Sequence, residues 1–128
     1  MELRRSPLHA RHVALGANLV DFGGWEMPVA YPTGTLAEHA ACRSAAALFD
    51  VSHPGTVRIT DGDAFDRLQS TLTNDLSRIG PGRAQYTHLL DDDASVLDDI
   101  IVWWHREGDV FDVMPNASNT SSVVEAVG

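Results

Sequence analysis

The chain has 128 residues, of which 44% are hydrophobic and 21% charged, enough for one globular domain with its own core and too apolar for a disordered chain. Eighteen acidic residues against nine basic ones give a formal charge of −9, which leaves no extended basic footprint for nucleic acid; a small anion would have to be held by a few arginines, with Arg43 and Arg83 the candidates in view. No run reaches the roughly 20 apolar residues of a membrane span, and Met1-Glu2-Leu3-Arg4-Arg5 is not followed by the apolar stretch of a secretory signal, so the expected setting is cytoplasmic, with no membrane partner.

Pro7 after Ser6 suits the first turn of a helix, Leu8, Val13 and Leu15 follow at helical spacing, and Gly16 stops it: a helix over 7–15. Leu19-Val20-Asp21-Phe22 reads as a strand. After Gly23-Gly24, the two prolines and the aromatics of residues 25–32 suit an extended, packed loop. Thr35 to Ala46 reads as a helix capped at Thr33 or Thr35. Its Ala-rich sequence makes the lone Cys42 a small packed thiol without a disulfide partner, not a nucleophile.

Strands are expected at 48–52 and 55–60, a helix at 63–72 with Phe65 and Leu68 inward, and strands at 84–90, 96–105 and 109–114. Asp91-Asp92-Asp93 is the polar turn of a hairpin. A last helix begins near Ala117–Asn119 and still reads as a helix in mid-course at Gly128, the pattern of a piece of a longer protein. Helices mixed with mostly antiparallel strands give an α+β class, a largely antiparallel sheet with packed helices, in one domain over 1–128.

The most informative stretch is Val96-Leu97-Asp98-Asp99-Ile100-Ile101-Val102-Trp103-Trp104, which reads as a central strand apolar on both faces with two carboxylates inside it. Alternation puts Asp99 on one face with Leu97, Ile101 and Trp103, and Asp98 on the other with Val96, Ile100 and Val102. At least one acid therefore meets apolar surroundings, where an unpaired carboxylate costs several kcal/mol in effective terms and calls for a partner, a shifted pKa or a functional reason. The alternative is that one Asp faces solvent and the other caps a loop.

Other constellations carry less. The six histidines, His9, His12, His39, His53, His88 and His105, are scattered, and His9 and His12 share a helix face with no carboxylate or cysteine at a metal spacing; solvated surface is expected and no metal site. Ser52-His53 has no triad partner at a readable position, and Gly80-Pro81-Gly82 is a turn, not a phosphate cradle.

Four blocks together resemble one family. They are Gly16-Ala17-Asn18-Leu19-Val20-Asp21-Phe22-Gly23-Gly24-Trp25-Glu26-Met27-Pro28; Leu48-Phe49-Asp50-Val51-Ser52-His53 followed by Gly55; Thr73-Asn74-Asp75 with Pro81-Gly82-Arg83-Ala84-Gln85-Tyr86; and Leu97-Asp98-Asp99-Ile100-Ile101-Val102. In order and spacing the chain resembles the amino-terminal part of the aminomethyltransferases, the T-proteins of the glycine cleavage system.

The resemblance implies a tetrahydrofolate-dependent enzyme that takes an aminomethyl group from the dihydrolipoyl arm of the lipoylated H-protein, releases ammonia and leaves methylene-tetrahydrofolate. It implies several domains around a central folate channel, of which this is the first. Carried over by position, Asp99 is the catalytic carboxylate beside the pterin and Asp98 a structural one. Tyr86 lines the pterin pocket, with core packing as its alternative; Trp103 is the aromatic that follows the Asp-Asp strand; Asn116 is a hydrogen-bonding residue of the folate loop, with a turn or helix cap as its alternative.

Three departures stand out: Pro54 where the family usually has methionine, Ala94-Ser95 in place of a Gly-Gly turn, and Asp61-Gly62 in place of Gly-Pro. The groups that grip the folate in the family come largely from beyond Gly128, so the chain alone is expected to be inactive and, with severed faces exposed, to self-associate. Two other readings stand beside this one: a folate-binding domain of a dimethylglycine- or sarcosine-oxidising system, and a non-catalytic folate-binding relative.

Overall fold

Gly23 and Gly24 both take positive φ, 60° and 82°, the requirement of a two-residue turn whose twist matches that of paired strands. They join β2 (Asn18–Phe22) to β3 (Trp25–Ala30) as an antiparallel hairpin, with Phe22 opposite Trp25 and Asp21 Oδ1 accepting from the Gly24 amide at 3.0 Å. The packed loop expected over 25–32 is therefore a strand through Ala30. Its proline did not prevent this: β1 (Arg4–Arg5) pairs in parallel only with Trp25 and Glu26, so Pro28 lies past that partner and beside a bulge at Asn18/Leu19.

The structure, a computed structural model, describes residues 2–128, which divide into two compact units at the His53/Pro54 boundary, 2–53 and 54–128. In the first, the sheet order is β1-β3-β2, and two helices accompany it, α1 (His9–Ala14) and α2 (Thr35–Ser44). Helix α1 is shorter than the expected 7–15, because Ser6 Oγ accepts from the Leu8 amide at 3.0 Å and holds the preceding turn out of the helix; Gly16, at φ 72°, ends it as expected. Helix α2 is preceded by Gly34 at φ 83° and takes no side-chain cap, so neither Thr33 nor Thr35 caps it. Cys42 is exposed on it, against the expected packed thiol, because α2 buries none of its residues.

The expected strand at 48–52 is absent. Leu48, Phe49 and Val51 are exposed and Asp50 is turned inward, so the apolar run finds no neighbour to supply a ladder. In the second unit β4 is only Val57–Ile59, followed by α3 (Ala64–Thr71), a 3₁₀ turn at Leu76–Arg78, β5 (Ala84–Leu90), β6 (Val96–Trp104), β7 (Phe111–Met114), a second 3₁₀ turn at Ala117–Asn119 and α4 (Thr120–Val127). The sheet order is β4-β7-β6-β5, antiparallel throughout, so the Asp-Asp strand is interior as expected.

One face of this sheet is the core. Ile59, Leu89, Ile100, Val102, Phe111 and Val113 bury against Leu68 and Leu72 of the α3 region and Val123 and Val127 of α4. Phe65 packs at its margin beside Trp104 and Phe111. The free edge of β5 is covered by the Thr73-Asn74-Asp75 segment. The Thr73 amide donates to His88 O (3.1 Å), the His88 amide to Thr73 Oγ1 (3.2 Å), Asn74 Nδ2 to Tyr86 O (2.8 Å) and Gln85 Nε2 to Asp75 O (2.8 Å). That motif thus protects an edge strand that would otherwise be a pairing template.

Candidate functional site

Burial alternates along β6 as the sequence predicts. Asp98, Ile100 and Val102 face the core, Asp98 at 3% exposure; Asp99, Leu97, Ile101 and Trp103 face out, with Ile101 and Trp103 at 44% and 49%. The strand is apolar on both sides but covered on one, which leaves an apolar outer face with a carboxylate set in it.

Asp98 is fully partnered. Its Oδ2 accepts from the Asn116 amide at 3.0 Å, and its Oδ1 from Asn116 Nδ2 at 2.8 Å and Asn119 Nδ2 at 2.9 Å. Three donors from one turn explain how an acid sits in this core. It is structural, and it fixes the Asn116–Asn119 turn on the end of the sheet.

Asp99 sits on the other side of the same turn. Asn116 Nδ2 donates to its Oδ1 at 2.9 Å and the Tyr86 hydroxyl to its Oδ2 at 3.2 Å. Tyr86 stands opposite Ile101 in the register, so its ring reaches Asp99 along the diagonal of the pair. Partial desolvation, the charge of Asp99 and the hydrogen bond to it all push the Tyr86 phenol above its ordinary value, which keeps the hydroxyl protonated and donating at neutral pH. Tyr86 is 54% exposed, so it is not the packed core tyrosine of the alternative reading.

Of the four residues singled out by sequence, Asp99, Tyr86 and Asn116 form one hydrogen-bonded cluster. Trp103 does not join it. Four residues further along β6 place it about 13 Å from Asp99, at an open cleft of ≈ 480 Å³ lined by Gly82, Trp103, His105, Arg106, Glu107 and Val110.

Two residues escaped the sequence reading. His88 is directly opposite Asp99 in the register, its ring edge-on to Tyr86 at 5.1 Å; its signal was the two-residue step from Tyr86, which puts both on one face. Asn119 had the weaker signal of lying three residues after Asn116. Among the described residues no group of His, Cys, Asp and Glu could hold a metal ion.

The histidines also need correction. His12 is buried, not solvated: its Nε2 donates to Asp50 Oδ2 at 2.8 Å, its Nδ1 lies 2.8 Å from the Tyr31 hydroxyl, and Ser6 Oγ donates to the same Asp50 oxygen. Burial pushes the Asp50 carboxyl up, but the hydrogen bonds from His12, Ser6 and Ser52 outweigh it and hold the group well below the usual carboxylate range.

Residues 8–127 match the family described as the GCVT N-terminal domain. The chain belongs to that family. It is 53% identical over 124 residues to an aminomethyltransferase of Parafrankia sp. (strain EAN1pec), covering 96% of this chain and 34% of that protein. It is 48% identical over 126 residues to one of Mycobacterium tuberculosis (strain ATCC 25618 / H37Rv), covering 98% and 34%.

A solved glycine cleavage system aminomethyltransferase T from Bartonella henselae superposes with a TM-score of 0.90 at 33% identity, over 98% of this chain and 34% of that one. The chain thus spans about a third of the length of these GCVT relatives. Among its described residues no helix is long and apolar enough to cross a membrane.

The donor set on the outer face fits a reduced pterin. A planar heterocycle rich in N–H groups finds a carboxylate (Asp99), an amide oxygen (Asn116 Oδ1), an aromatic ring (Tyr86) and exposed apolar side chains (Leu97, Ile101) on one open surface.

Proposed function

We propose that this chain supplies the pterin-facing wall of a tetrahydrofolate-dependent aminomethyltransferase of the glycine cleavage system, with Asp99 as its catalytic carboxylate. The transfer is of an aminomethyl group from the dihydrolipoyl arm of a lipoylated H-protein, with release of ammonia and formation of methylene-tetrahydrofolate, in a cytoplasmic setting. The observation that carries this reading is the Asp99–Tyr86–Asn116 cluster on an apolar face of a GCVT-family sheet.

Tetrahydrofolate, when bound, supplies the nitrogens that accept the one-carbon unit. The chain's part is positioning and charge. Loss of ammonia from the aminomethyl carbon builds positive charge, and a carboxylate fixed beside it in a water-poor site stabilises that charge and can take or hold a proton. Asn116 and Tyr86 each donate to Asp99, from two directions, and so fix the carboxylate. Leu97 and Ile101, half exposed on the same face, give the carboxylate an apolar border against which a ligand would shield it from water. Trp103 extends the same face, and Asn116, whose two amide hydrogens go to Asp98 and Asp99, offers its Oδ1 as an acceptor.

The test is Asp99→Asn in a full-length protein carrying this domain. Transfer from aminomethylated H-protein is expected to fall by roughly 10²-fold or more, the scale of a lost general acid–base or charge-stabilising group, while folate affinity changes much less. A wild-type transfer rate in that variant removes Asp99 from the chemistry.

A further inference from the structure

We propose that His88 is a positioning residue of the Asp99 site and its proton-controlled gate: as a neutral ring it leaves the carboxylate to the substrate, and as an imidazolium it takes the carboxylate for itself. The inference rests on the reading of Asp99 as the catalytic carboxylate and adds a residue that lies outside the family blocks.

Strand pairing brings the two side chains together. His88 stands opposite Asp99 in the β5–β6 register, so both point to the outer face. The His88 amide donates to Thr73 Oγ1 (3.2 Å) and the His88 carbonyl accepts from the Thr73 amide (3.1 Å), so both backbone groups are directed away from β6. The pair is therefore of the non-hydrogen-bonded kind, in which Cα atoms lie only about 4.5 Å apart and side chains stand closest. Tyr86 turns the same way, its carbonyl accepting from Asn74 Nδ2 at 2.8 Å, and its ring meets the imidazole edge-on at 5.1 Å.

The carboxylate has one oxygen to spare. Asp99 Oδ1 is held by Asn116 Nδ2 at 2.9 Å, whereas Oδ2 has the Tyr86 hydroxyl at 3.2 Å, which is long for an O–H donating to a carboxylate. The half-buried His88 imidazole makes no hydrogen bond among the described residues and is free to turn towards that oxygen. A neutral ring brings one uncharged N–H to the contest with Tyr86; a protonated ring brings two, with a positive charge.

The surroundings leave Asp99 as the charge that His88 faces. On the same face β5 contributes Tyr86, and β6 contributes Ile101 besides Asp99. The segment over the free edge contributes Thr73 and Asn74, both neutral, and the Asp75 carboxylate is occupied by the Ser77 amide and hydroxyl and by Gln69. The acids of the hairpin turn, Asp91 to Asp93, begin about 10 Å further along the strand. The histidines that contact other acids are committed elsewhere, His9 to Glu26, His12 to Asp50 and His105 to Asp112. Histidines change charge between about pH 5 and 8. Acidification through that range forms the His88–Asp99 ion pair, draws Oδ2 from Tyr86 and cancels the negative charge that the transfer uses.

Two readouts test the gate. In the 128-residue chain with isotopically labelled aspartate, the Asp99 carboxyl signal is expected to step between about pH 8 and 5.5. That step should vanish in His88→Phe, which keeps a ring against Tyr86 without a charge, and in His88→Gln. In a full-length protein carrying this domain, acidification over the same range should slow transfer roughly fivefold more in wild type than in either variant, the scale of one half-exposed ion pair. His88→Lys should bring the slow rate to neutral pH. A carboxyl step that is absent from wild type or kept in both variants would overturn the gate. So would a wild-type rate in His88→Lys, or equal pH profiles for wild type and the neutral variants, in a protein that Asp99→Asn inactivates. A step that needs His88, in a protein whose transfer ignores Asp99→Asn, leaves the His88–Asp99 pair standing and overturns the catalytic reading instead.

Discussion

Asp98 and Asp99 point to opposite faces of β6 and yet share one donor, the side-chain amide of Asn116, at 2.8 Å and 2.9 Å. An amide nitrogen has two hydrogens, so the two carboxylates take both, and the 3.2 Å approach to Asp99 O is a weaker third contact. The same side chain satisfies the core acid and orients the surface acid, which couples the stability of this unit to the geometry of its site.

Asn116→Ala is therefore expected to lower stability by about 1–3 kcal/mol, since Asp98 keeps the Asn116 backbone amide and Asn119 but loses one charged hydrogen bond in the core. Asp99→Asn, at an exposed position, should change stability by no more than about 0.5 kcal/mol. Urea unfolding of both variants checks the pair. Equal losses would mean that the core acid does not depend on Asn116.

The Ser6–Asp50–His12–Tyr31 network predicts how the first unit responds to acid. The folded Asp50 carboxyl lies below its ordinary 3.8, so it contributes stability that is fully present above that value and is lost as pH falls below it towards the folded pKa. Asp50→Asn is expected to cost about 2 kcal/mol at pH 7, where the wild-type group is charged, and progressively less below pH 4, where wild type loses the same term. Thermal unfolding across pH 2–7 measures this. A gap between the two proteins that stays constant through the acid range would show that the charge of Asp50 contributes nothing.

Two backbone positions give opposite expectations. Ala94, in the β5–β6 turn, takes φ 67°, which costs an alanine roughly 1 kcal/mol. Ala94→Gly should stabilise the protein by several tenths of that, the gain reduced by the greater freedom of glycine in the unfolded chain. Gly55 is the reverse case: a β-carbon there would lie 2.4 Å from Thr120 Oγ1 and 2.7 Å from its Cγ2, so Gly55→Ala should destabilise by about 1–3 kcal/mol. Melting temperatures that move the same way in both variants would contradict this.

What the sequence disclosed and what it hid follow from the range of the forces involved. The faces of β6 were legible because alternation is a local rule, and the β5–β6 hairpin because a polar turn joins two apolar runs. That Tyr86 falls on the face of Asp99 was not legible from them, because the register slips by one at Leu89/Leu90 and only that bulge puts Tyr86 opposite Ile101 instead of Ile100. The burial of His12 was not legible, since it depends on Asp50 and Tyr31, 38 and 19 residues away. The separation of Trp103 from the Asp99 cluster, by contrast, was legible: parity fixes only the face, but four residues of strand span about 13 Å. The missing strand at 48–52 makes the same point as His12: Leu48, Phe49 and Val51 carry a strand signal, but pairing needs a partner that composition cannot reveal.

That unpaired run has a consequence in solution. Leu48, Phe49 and Val51 are exposed within four residues, and Ile101, Trp103 and Tyr86 are half exposed on the outer face of the second sheet. Apolar surface gathered in this way rarely stays wet. The chain is expected to self-associate, with a weight-average mass in sedimentation equilibrium that rises with concentration above the monomer value. Leu48→Ser with Phe49→Ser should reduce that rise if the 48–51 run drives association, whereas Ile101→Ser should do so if the sheet face drives it. A wild-type chain that stays monomeric at every concentration would show that neither surface is sticky enough to pair.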